Sequence, residues 1–135
     1  MACWPRIFVQ LITVIAGAGA MLLAGGERQR ISVQEARRLV YEVVKLHNPG
    51  AAVSRMQNSY DREFLYFEVL TTNPVASPVV GHYAVNPWTG DVWNPALCER
   101  LTLPSLKRMQ ERIRKRFKFA EQEYARLRAK KPLCS

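Results

Sequence analysis

The chain has 135 residues and a mass of 15.4 kDa, room for one domain of ordinary size and too little for a multidomain enzyme. Apolar residues make up 48% and charged residues 23%, the balance of a folded domain rather than of a disordered chain. Lys and Arg number 20 against 11 Asp and Glu, a formal charge of +9, so anionic partners come to mind and the placement of that charge becomes the first question.

Residues 1–26 (MACWPRIFVQLITVIAGAGAMLLAGG) carry one basic residue, Arg6, no acid, an apolar run from Ile7 and a small-residue exit at Ala18-Gly19-Ala20. This is the layout of a secretory signal peptide, with cleavage expected between about residues 20 and 26. The alternative is an uncleaved membrane anchor at residues 7–26, a length that just spans a bilayer. In either case the rest of the chain is expected outside the cytoplasm, periplasmic or extracellular, in an oxidising compartment.

The exported part opens with a helix expected over 32–47. Ser32 and Glu35 have the spacing of a capping box, in which each side chain satisfies the other's free backbone N–H. Val33, Ala36, Val40, Val43 and Val44 recur at helical spacing until Asn48-Pro49-Gly50 ends the pattern. From Ala51 the composition turns to Val, Tyr, Phe and Thr. Strands are expected over 51–57, 63–72 and 79–86, with a short continuation at 91–93 after the turn Pro87-Trp88-Thr89-Gly90. The implied architecture is α+β: an N-terminal helix on a three- to four-stranded antiparallel sheet over residues 27–98. Residues 99–135 then form a long amphipathic helix, expected unbroken from 105 to 130, with Leu106, Met109, Ile113, Phe117, Ala120, Tyr124 and Leu127 on one stripe. The stripe is narrow, nearer a coiled-coil seam than a broad core face.

With these residues laid out, the stretch 31–93 resembles the PepSY domain, a module of metallopeptidase propeptides and exported bacterial proteins. The likeness rests on ISVQEARRLV, on Pro49-Gly50 followed by Ala51 and Val53, on FLYFEV, and on YAVNPWTGDVW for the closing turn. Asn86 stands where that family usually has Asp. The resemblance implies an inhibitory, chaperone-like or binding role in the cell envelope, with a peptidase among the partners and no catalytic residues to carry over.

Read for chemistry, the sequence has no phosphate loop, no nucleophile elbow and no metal-ligand spacing around His47 or His82. A non-catalytic protein without metal or cofactor is therefore expected. The turn at 86–91 explains itself through Gly90, Thr89 and Asp91, while Trp88 and Trp93, if exposed, would mark a ligand-facing turn.

Two cysteines follow the leader, Cys98 and Cys134. An unbroken helix between them is about 39 Å long, whereas the flanking residues reach about 33 Å together. A pair of intermolecular disulfides in an antiparallel homodimer is the sharper expectation, against free thiols or a kinked helix with an internal bridge.

The charge is not spread evenly. Residues 27–98 balance at seven basic and seven acidic, while 99–131 hold twelve basic and four acidic. Within the helix, Arg112, Arg114, Lys115, Arg116 and Lys118 surround the apolar stripe, and Phe119 stands among them off that stripe. They form either a solvated face or a contact for an anionic partner: phospholipid headgroups, an envelope polyanion or an acidic protein. Nucleic acid ranks last, since an exported chain seldom meets it. The leading function is an exported, non-catalytic envelope-binding or peptidase-modulating module. The alternative is a structural, dimer-forming protein whose basic helix touches an anionic surface.

Overall fold

The computed structural model describes residues 29–57, 61–72 and 78–134. The expected leader at 1–26 and residues 58–60, 73–77 and 135 lie outside them. Among the described residues no helix is long and apolar enough to cross a membrane.

Helix α1, Val33–Val44, starts where the capping box requires it. The Glu35 amide donates to Ser32 Oγ at 3.1 Å, and the Ser32 amide donates to Glu35 Oε2 at 3.1 Å. The helix ends three residues before the expected boundary, because the amides of His47 and Asn48 both turn back to the Val44 carbonyl. Its inner face, Ala36, Leu39, Val40 and Val44, is buried.

The sheet has five antiparallel strands in sequential order, one or two more than expected. They are β1 (Ala52–Arg55), β2 (Leu65–Leu70), β3 (Val79–Val85), β4 (Val92–Asn94) and β5 (Glu99–Arg100). The two-residue β5 has no hydrophobic pattern of its own. It pairs because Asn94 Oδ1 accepts from the amides of Ala96 and Leu97 and reverses the chain, with Cys98 completing the turn at φ +52°. Side-chain alternation assigns the faces. Phe67, Val69, Val85 and Val92 point into the main core under α1, while Phe64, Ala84 and Trp93 form a smaller cluster on the opposite face with Tyr66 at its rim. Complete burial of a residue such as Phe67 or Leu39 contributes about 2–3 kcal/mol.

The C-terminal region is two helices rather than one. Helix α2, Pro104–Phe117, lays Leu106 and Ile113 into the main core, and α3, Glu121–Ala129, follows a break at Lys118. Lys118 adopts the left-handed conformation, φ +51° and ψ +37°, and its amide donates to the Arg114 carbonyl. The break has no Gly or Pro signal; a non-glycine residue there costs about 1–2 kcal/mol, offset by what α3 reaches once redirected. Leu127 becomes buried, and the tail runs on to the far face, where the Leu133 amide donates to Tyr66 Oη at 2.9 Å.

The break also corrects the cysteine expectation. Cys98 and Cys134 are joined within the chain, Cα atoms 5.4 Å apart, rather than between two chains. This is the kinked-helix alternative with an internal bridge: the break at Lys118 removes the unbroken rod that would have held the two cysteines apart.

Candidate functional site

The turn after β3 is the anchor of the C-terminal half. Asn86, Thr89 and Asp91 are all buried. Asn86 Oδ1 accepts from the amides of Trp88 and Thr89, and its Nδ2 donates to the Leu127 carbonyl at 2.8 Å. Thr89 Oγ1 donates to Asp91 Oδ2 at 2.8 Å, and the Gly90 carbonyl accepts from Gln110 Nε2 at 3.1 Å. The turn is thus bonded to α2 through one group and to α3 through another.

Trp88 and Trp93 are not ligand-facing: they are 6% and 4% exposed. Arg30 and Lys130 both lie over the Trp88 ring, at 4.7 and 4.8 Å from its centre, and Arg100 lies 4.9 Å over Trp93. Both indoles are buried, which leaves the turn with no aromatic to offer a partner.

The six residues expected at an anionic contact separate into two groups. Arg114 is committed internally, to Glu121 at 2.5 Å and to the face of Tyr124 at 4.6 Å. Arg116 is bonded to Glu35 of α1 at 2.6 Å and stacks on Phe117. Phe119 packs edge-on against Phe117, ring centres 5.7 Å apart, so it is not a free aromatic. Arg112 and Lys115 project from α2, and Lys118 from the break, without an ion pair among the described residues.

Arg112 does not stand alone. Helices α1 and α2 pack side by side and run in opposite directions, so Glu35 near the start of α1 meets Arg116 near the end of α2. At the far end, Glu42 lies by Ser105 and within the field of Arg108. The Glu35–Arg116 pair lines a groove of about 190 Å³ with Leu39, Met109 and Ile113, to which α1 also contributes Arg38 and α2 Arg112. Arg38 was missed by the sequence reading because it belongs to the charge-neutral half of the chain. Only the packing of the two helices brings it beside Arg112.

The Glu35 and Glu42 carboxylates are held ionised. Arg116, bonded to Glu35, keeps the Glu35 carboxyl below its ordinary range, against the opposing effect of burial and with help from the Ser32 amide. Lys45 chiefly, then Ser105 and Arg108, do the same for Glu42. On the far face burial, then the Asp61 carboxylate that accepts from its hydroxyl, raises the Tyr66 phenol. Among the described residues no group of three or more His, Cys, Asp or Glu is gathered as for a metal ion; His47 lies in the turn after α1 and His82 on β3.

No protein-family model matches the chain, and no curated protein matches it. A solved chain from a type VI secretion system effector-immunity complex of Pseudomonas protegens is similar, with a TM-score of 0.57 and 21% identity over 73% of this chain and 87% of that chain. The likeness shows a shared fold over most of the described region.

Proposed function

We propose that this protein is an exported, non-catalytic module that works by docking a protein partner. The observation that carries the reading is the fold: the solved chain that shares it comes from a complex of two proteins. The intrachain Cys98–Cys134 bridge supports an oxidising compartment, as a signal peptide implies. The PepSY resemblance adds an exported peptidase as the first partner to try.

The test is cross-linking of the full chain in its own cell envelope, with the captured protein identified and the pair reconstituted from purified components. A reconstituted complex of defined stoichiometry establishes the reading. A chain that stays alone in the envelope and hydrolyses a substrate as a purified protein overturns it.

A further inference from the structure

The α1–α2 seam is a ladder of charges with one rung incomplete. At one end Glu35 faces Arg116, and at the other Glu42 faces Ser105 and Arg108. Glu35 pairs with a donor on α2, while Glu42 is bonded first to Lys45 at the end of its own helix, at 2.7 Å, with Ser105 and Arg108 of α2 beside it. One turn along from Glu35, α1 presents Arg38, and one turn back from Arg116, α2 presents Arg112. Both line the same groove as Glu35 and Arg116; the groove's carboxylate is bonded to Arg116, and neither Arg38 nor Arg112 has an ion pair among the described residues. Two guanidiniums on opposite walls repel each other, and the repulsion is relieved by an anion placed between them.

Deepening the partner-docking reading and resting on it, we infer that the middle rung is completed by a carboxylate of the partner: an acidic side chain, carried on a protein segment, that enters the groove between Arg38 and Arg112. The Glu35–Arg116 contact at 2.6 Å shows, within the molecule, the pairing the partner would repeat one turn away. Guanidinium groups suit it, because each offers a planar fork of donors that matches a carboxylate. The floor of Leu39 and Ile113 takes the methylene stem of a Glu. Surrounding charge favours approach of an acidic protein, since α2 carries Lys107, Arg108, Arg112, Arg114, Lys115 and Arg116 against Glu111. A protein segment fits better than a bilayer: the arginines flank a recess, and Phe119, the aromatic that would insert into lipid, is packed on Phe117.

The full chain, with its disulfide intact, is titrated into a fluorescein-labelled oligoglutamate peptide at low salt and followed by anisotropy. Arg38→Gln with Arg112→Gln removes two charges from the groove; Lys107→Gln with Lys115→Gln removes two from the same helix pair outside it. Binding is expected to fall about tenfold or more in the first pair and less than about threefold in the second. The groove variant keeps or raises its Tm, which shows that it folds. Absence of wild-type binding, or equal weakening in both pairs, overturns the inference. So does binding to phosphatidylglycerol vesicles that depends on Arg38 and Arg112 when the peptide is ignored. A groove variant that still captures the same envelope partner as wild type removes the groove and leaves the docking reading standing, whereas the absence of any partner removes the reading itself.

Discussion

The side-chain amide of Asn86 donates to the main-chain carbonyl of Leu127 at 2.8 Å, joining the turn after β3 to the last helix across forty-one positions of sequence. The same side chain accepts two turn amides through its oxygen. An aspartate could serve the turn amides, yet it would set a carboxylate oxygen against the Leu127 carbonyl. Asn86→Asp is therefore expected to destabilise the fold by about 2–4 kcal/mol, read as a loss in chemical denaturation with an unchanged slope. Wild-type stability in that variant would show that the C-terminal helix is held by other means.

Gly90 tests the other bond of the turn. Its φ is +75°, and a β-carbon there would lie 2.7 Å from Ile113 Cδ1, inside any real contact distance. Gly90→Ala is expected to cost about 2–3 kcal/mol by combining left-handed strain with the displacement of α2. Shortening the clash partner with Ile113→Val should recover part of that loss, and a double-mutant cycle measures how much.

The disulfide closes a loop with a sequence separation of 36. Replacing Cys98 and Cys134 by Ser is expected to lower stability by about 3–4 kcal/mol through the greater freedom of the unfolded chain. Hydrogen exchange should quicken first in α3 and the tail, which the bridge ties to the sheet. Non-reducing electrophoresis of the native protein should show a monomer; a covalent dimer would contradict the intrachain pairing.

Acid should loosen the start of α1. Because Glu35 has a lowered pKa when folded, its contribution is present above the ordinary glutamate range and is lost as pH falls through the folded value. Protection of the Ser32 and Glu35 amides, taken relative to the intrinsic exchange rate at each pH, should therefore fall as pH drops below the ordinary glutamate range. Glu35→Gln should flatten that response, because its amide has no proton to gain.

Much of the fold was legible locally. Ser32 and Glu35 announced α1, and the alternation of Leu65, Phe67 and Val69 announced β2, because capping and pleating act between residues close in the chain. The break at Lys118 and the strand β5 were not legible. A lysine and a two-residue pair carry no local preference for those conformations, and both arise from contacts made elsewhere.

The candidate site divides in the same way. Arg112 was visible as one cation in a basic stretch, while its neighbour Arg38 lay in a segment whose charges cancel. By itself the sequence determined that the chain is α+β, that its excess charge is C-terminal, and where α1 begins, since these depend on composition and on neighbours three or four residues apart. Only the tertiary structure decided that the two cysteines meet, that the tryptophans are covered, and that Arg38 and Arg112 share a groove whose carboxylate, Glu35, is bonded to Arg116. Each of those follows from distant segments being buried together, and the stability of such contacts comes from the packing of the whole rather than from any stretch of the chain.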